Sequence, residues 1–153
     1  MRTVIRSRLR RVATLSPGEC VDLAHAQLEL IAAQFRVSTR SVGDLISAET
    51  ACSSLPSTTT PIDSRAERLA LAVGRAAKYG AFRPRCLVCA IATNRMLVRR
   101  GIQGSRIRIG VRKQDGQFLA HAWVEYGGRV IGDNDAHVAS FTELTDVRLL
   151  LRE

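Results

Sequence analysis

The sequence predicts an α+β chain in which helices come first and a small antiparallel sheet follows. Three observations carry that expectation. Through roughly the first hundred residues, apolar side chains recur at spacings of three and four; from Ile107 onward they alternate with a period of two; and Asp115-Gly116 and Gly127-Gly128 mark turns between the alternating runs. With 153 residues, of which 46% are hydrophobic, the chain is long enough for one domain with its own core. We therefore expect a single domain over 1–153, helical over about 1–80, with a second part over about 81–135.

Each element has a local cause. Residues 2 to 12 are basic, with Val4, Ile5, Leu9 and Val12 partly on one side, which reads as a solvated terminus or a docking arm. Ser16-Pro17-Gly18-Glu19 is a helix start: serine caps, proline suits the first helical position, and Glu19 stands where a capping box needs a carboxylate. Val21, Ala24, Leu28, Ile31 and Phe35 then mark the face expected to pack on the core, with Leu23 and Leu30 widening it. His25 and Cys20 on this helix read as structural.

A weaker helical piece covers Ser38 to Ala51, and the polar run from Cys52 to Pro61, with two prolines, is a loop. Ser64-Arg65-Ala66-Glu67 repeats the capping-box pattern and opens a helix to Tyr79, buried through Leu69, Val73 and Ala76, with Gly80 as its stop. Pro84 forbids helix just before it and tolerates helix just after it, so a third helix is expected from Cys86 to Arg100 with Leu87, Ile91 and Val98 inward. Ile107, Ile109 and Val111 alternate with arginines, a strand with one wet face. Phe118 to Tyr126 is apolar on both parities, so it should be a central strand covered on both sides, and Arg129 to Asp133 returns alongside it. In the tail, Val147 to Leu151 could add an edge strand or a short helix.

The charge balance is lopsided, with 23 Lys+Arg against 14 Asp+Glu and a net charge of +9; Lys78 and Lys113 are the only lysines. Such a surface suits an acidic partner, and an arginine-rich coding bias explains part of it. Four cysteines, at 20, 52, 86 and 89, do not form a disulfide framework in a chain of this length without an export signal. No apolar run is long enough to cross a bilayer. The expected location is cytoplasmic, with free thiols.

The chemistry gathers in Arg83-Pro84-Arg85-Cys86, in His121 on the central strand, and in Asp133 at the end of the next. A thiol attacks only as thiolate, and the first turn of a helix, with its unpaired N–H groups, favours negative charge. Arg83 and Arg85 add positive charge beside Cys86. A histidine supplies the base, and a carboxylate on its other nitrogen fixes the tautomer. The pattern points to a cysteine peptidase with Cys86 as nucleophile, His121 as base and then acid, and Asp133 as its orienter, the backbone N–H of Cys86 being one oxyanion donor.

Register sets a condition on this. A two-residue Gly127-Gly128 turn pairs Tyr126 with Arg129 and aims Asp133 away from the His121 side. The triad therefore requires a three-residue loop or a bulge, with Asn134 and Asp135 as fallback partners. Trp123 shares the parity of His121 and would wall the site or fill the core; Cys89 should face the core, and His137 has no assigned role. Cys86-Leu87-Val88-Cys89 as a redox pair fits less well, because a helix and Phe82-Arg83-Pro84 precede it where a strand is needed. No second Cys or His pair has zinc spacing, so neither metal nor cofactor is expected.

Cysteine on a helix, His121-Ala122-Trp123-Val124-Glu125 on a strand and aspartate on the next resemble the transglutaminase-like (papain-like) superfamily. The fuller string, Phe82 to Leu87, Leu97 to Ile102, Arg108 to Arg112 and Ala120 to Glu125 followed by Gly128 to Ile131, is similar to the leader peptidases of bacterial lasso-peptide biosynthesis. The resemblance implies that Cys86 attacks the bond joining leader and core of a ribosomally made precursor peptide. It also implies a separate leader-recognition protein, since no fused recognition module is expected here, and an ATP-dependent cyclase that receives the freed core. Neither nucleic acid nor membrane is an expected partner. Two rivals stand beside it: another transglutaminase-like peptidase or amide-transfer enzyme, and a non-catalytic basic binding module.

Overall fold

A computed structural model describes residues 16–40 and 63–144. The basic terminus before Ser16, the helical piece expected over Ser38 to Ala51 beyond residue 40, the loop expected from Cys52 to Pro61, and the tail after Leu144 lie outside the described residues. Three helices, α1 (Pro17–Thr39), α2 (Ser64–Tyr79) and α3 (Cys86–Arg99), precede strands β1 (Arg106–Gln114), β2 (Gln117–Tyr126) and β3 (Arg129–Ile131). A short helix α4 (Asp135–Val138) and strand β4 (Thr142–Glu143) complete the described part. The class is α+β, with an antiparallel four-stranded sheet in the order β3-β2-β1-β4.

The helices start as local chemistry dictates. Ser16 Oγ accepts from the Glu19 N–H at 3.2 Å, and the Ser16 N–H donates to Glu19 Oε2 at 2.8 Å, closing the capping box. At α2 the cap is one residue earlier than the sequence pattern indicated: Asp63 accepts from the Arg65 N–H at 2.8 Å and Ser64 is already helical. A carboxylate at the N-cap satisfies an orphan donor and also meets the positive end of the helix dipole.

The packed face of α1 is not the one its apolar spacing indicates. Val21, Leu28, Ile31 and Phe35 are exposed, Phe35 by 70%, while Asp22, Ala26, Glu29, Leu30 and Ala33 are buried. Ion pairs reverse the expectation. Asp22 meets Arg100 at 2.9 Å and Arg68 at 3.5 Å, and Glu29 meets Arg99 at 2.9 Å and Arg95 at 3.3 Å. A buried carboxylate is tolerated when it is paired and hydrogen-bonded, and both acids are paired with arginines of α2 or α3. Neutralised in this way, two acids join the core face and the other apolar stripe is left to the outside.

Helix α3 lies between α1 and the sheet, so it is buried on opposite sides, through Val88, Ala90, Ile91, Ala92, Met96 and Leu97. Leu87 and Val98, expected inward, are half-buried at its margins. Inside this layer the Ser105 hydroxyl donates to Asn94 Oδ1 at 2.7 Å, tying α3 to the start of β1. The sheet offers the helices Ile107, Ala122, Val124, Tyr126 and Ile131. Strand β2 is central, but only its second half is covered on both faces: Phe118, at 77% exposure, and Leu119 stand in solvent.

Candidate active site

Cys86 is the first residue of α3, half-buried and packed against the helical core. Helices α1, α2 and α4 are each capped by a side chain, from Ser16, Asp63 and Asn134. The start of α3 is not: its N-cap residue is Arg85, with no side-chain cap hydrogen bond and no acidic residue in the first turn. The first N–H groups of an α-helix have no intrahelical acceptor, so this terminus keeps donors and positive potential at the thiol.

His121 and Asp133 are joined by a 2.5 Å hydrogen bond between Nε2 and Oδ2, with 17% and 26% of their side chains exposed. The other carboxylate oxygen accepts from the Asn134 N–H at 2.7 Å. With an ionised Asp133 as acceptor, Nε2 must carry the proton, which leaves Nδ1 as the basic nitrogen. Asn134, a fallback partner in the sequence reading, instead caps α4 by accepting from the His137 N–H at 3.1 Å. Asp135, the other fallback, is the first residue of that helix.

The route by which Asp133 reaches His121 differs from the one expected. Tyr126 pairs with Arg129, so Gly127-Gly128 is a two-residue turn, both glycines having positive φ (59° and 76°). Continued straight, that register would turn Asp133 away. The ladder stops at Ile131, and Gly132, at φ 76°, swings the chain out of the strand before Asp133. A Cβ at Gly132 would sit 3.1 Å from the Cβ of Ala70 on α2, so backbone conformation and space both call for glycine here.

β2 presents Ala122, Val124 and Tyr126 to the helices, so His121, Trp123 and Glu125 stand on the opposite face. Asp133 follows Gly132, where β3 has ended. It is close enough to α3 that its charge, together with that of Cys86, adds to the effect of burial in pushing the Cys89 thiol up to about 11. Among the described residues no hydrogen bond joins the Cys86 thiol to His121. The structure thus brings His121 and Asp133 into direct contact, and the charge of Asp133 is felt at Cys89 in the first turn of α3.

Sequence reasoning offered Trp123 as a wall of the site and missed the roles of His137 and Phe141 beside it. Trp123 stacks near His121 with ring centroids 6.2 Å apart, His137 meets it edge-on at 4.9 Å, and Phe141 packs against both imidazoles at 5.2 and 5.3 Å. The guanidinium of Arg112 lies 4.7 Å over the Phe141 ring and donates to Ser140 Oγ at 3.0 Å. Gly110 makes room for this layer, since a Cβ there would come within 2.9 Å of both Trp123 and Phe141. The available signal was the spacing: His137 and Phe141 follow Asp133 at four-residue intervals. The cavity of about 230 Å³ between the starts of α1 and α2, lined by Glu19, Asp22, Arg68 and Arg75 among others, contains none of these groups.

The sequence matches the family model of the transglutaminase-like superfamily over residues 29–146, more than three quarters of its length. No curated protein and no solved structure matches it. The matched region includes Cys86, His121 and Asp133. No described helix is long and apolar enough to cross a membrane.

Proposed function

The chain belongs to the transglutaminase-like superfamily, whose members are commonly cysteine peptidases or transferases, and from that premise we propose that it is a cysteine peptidase with Cys86, His121 and Asp133 as its catalytic groups. The observation that carries the reading is the Nε2–Oδ2 hydrogen bond between His121 and Asp133, and an uncapped helix start that bears a thiol supports it. Nδ1 of His121 takes the thiol proton, and the thiolate attacks the scissile carbonyl. The resulting oxyanion is held by the Cys86 N–H. His121 then protonates the leaving amine, leaving a thioester on Cys86, and activates the water that releases the acid. Throughout, Asp133 accepts from Nε2–H and stabilises the imidazolium.

The finer reading is the removal of the leader from a lasso-peptide precursor before macrolactam formation. The motif strings around Cys86 and His121 support it, and so does a net charge of +9, which suits docking to an acidic leader or to a separate recognition protein. An ATP-dependent cyclase would consume the freed core. The test is incubation of the chain with the precursor and recognition protein encoded alongside it, followed by mass spectrometry. Two fragments that meet at the leader–core bond are expected, and none with Cys86→Ala. Cleavage that persists in Cys86→Ala ends the peptidase reading; Cys86-dependent transfer to an added amine, without hydrolysis, replaces it with amide transfer.

A further inference from the structure

Strand β2 is ten residues long and pairs with β1 over its whole length, yet only Val124, Glu125 and Tyr126 pair with β3. Both hairpins close on two-residue turns, Gln114 facing Gln117 and Tyr126 facing Arg129. In an antiparallel strand the N–H and C=O of one residue point the same way and successive residues alternate. The closing pairs exchange hydrogen bonds, so the odd residues of β2 bond to β1 and the even ones point toward β3. Beyond the end of β3, the backbone groups of Phe118 and Ala120 therefore face outward, and among the described residues no backbone hydrogen bond satisfies them.

An unpaired edge is a template for another strand, and proteins that do not use one blunt it with lysine, proline or a bulge. The run Gln117-Phe118-Leu119-Ala120-His121 carries none of these. The edge also ends at the site: one residue past Ala120 is His121, and the position β3 has vacated is where Asp133 turns in. We propose that this edge binds the substrate as an extended peptide, added to the sheet as a strand in line with β3. Its backbone hydrogen bonds to Phe118 and Ala120 lead the scissile bond to the His121–Asp133 pair. The inference rests on the peptidase reading for its choice of occupant. A second copy of the chain is the competing occupant, and it is disfavoured by +9 of charge on each copy. Recognition of this kind is read through the main chain, so it selects unstructured segments and gives side-chain preference only at alternate positions.

Proline offers a clean test, because at Ala120 it deletes an outward N–H and leaves the ladder to β1 intact. The probe is a fluorescent synthetic peptide spanning the leader–core junction of the neighbouring precursor, titrated into Cys86→Ala protein so that binding is read without turnover. Slowed exchange of the Phe118 and Ala120 amides on adding peptide is expected, with affinity at least tenfold weaker in Cys86→Ala/Ala120→Pro. A thermal melt and amide protection of β1 report whether that variant is folded. Should it not fold, exchange at the two amides of the Cys86→Ala protein decides alone. Unchanged exchange with bound peptide, or equal affinity in a folded proline variant, overturns the inference. So does protection of these amides in peptide-free protein that runs as a dimer. Protection with bound peptide that wild-type protein does not cut leaves the edge assignment standing and removes the catalytic one.

Discussion

The two faces of the β1–β2 sheet are built from different chemistry. Toward the helices stand Ile107, Ala122, Val124, Tyr126 and Ile131, all buried and apolar. Away from them stand Arg108, His121, Trp123 and Glu125, with Arg108 bridging Glu125 at 2.8 Å and Glu143 at 2.7 Å. The first face asks only for volume and burial, which many residues supply. The second depends on particular atoms meeting at particular distances. Adjacent residues of one strand thus answer to different constraints, stability on one face and the proposed chemistry on the other.

That separation makes its largest prediction through neighbours. Asp133→Asn removes the acceptor that fixes the His121 tautomer, and peptide cleavage should fall by about three orders of magnitude. Asparagine keeps an oxygen for the Asn134 N–H, so the thermal midpoint should barely move. Val124→Ala, on the buried face, should cost about 2 kcal/mol of stability while the rate per folded molecule stays near wild type. Denaturant melts and single-turnover rates on the two variants check both halves. If Val124→Ala slowed cleavage per folded molecule as much as Asp133→Asn, the two faces would not be independent.

Gly132 is where the faces are joined, and its replacement should affect both. Alanine there must hold φ near 76° against a cost of about 1–2 kcal/mol and press on Ala70 of α2. The expected result is a stability loss of that order together with a slower reaction, because relief of the strain swings Asp133 off His121. Nuclear magnetic resonance of the His121 ring nitrogens in Gly132→Ala would report the displaced hydrogen bond directly.

Most local signals in the sequence were read correctly, the cap of α2 being placed one residue late, while several non-local ones were missed. The Ser16 box is a four-residue arrangement, and it forms as written. The packed face of α1 depends on Arg68, Arg95, Arg99 and Arg100, far along the chain, so hydropathy ranked Val21, Leu28, Ile31 and Phe35 above Asp22 and Glu29 and selected the wrong side. The period-two pattern gave the parity of β1 and β2. The loop length of the β2–β3 hairpin was inferred from the chemistry required at its far end, and that inference failed because a single left-handed glycine achieves the same end outside the ladder. His121 and Asp133 were legible because their residue types are expensive to place together by chance. His137 and Phe141 were not, because nothing in their types distinguishes a wall of the site from ordinary packing.

The smallest expected effect separates two cysteines one helical turn apart. Burial, reinforced by the charges of Cys86 and Asp133, raises the Cys89 thiol to about 11, so the folded protein favours its neutral form. An unfolded cysteine ionises near pH ~8.5. The stabilisation from Cys89 is therefore fully present below that pH and is lost as pH climbs toward 11, where the folded protein must also release the proton. Alkaline melts should fall across that window in wild type and fall less steeply in Cys89→Ala. Iodoacetamide followed by peptide mapping gives the matching kinetic result: at neutral pH Cys86, at the rim, should label and Cys89 should not, and Cys89 should begin to react only as pH approaches 11. Equal labelling of the two at pH 7 would mean that the first turn of α3 lies open on its core side, and the distinction between a reactive rim and an inert interior would fail where the proposed chemistry needs it.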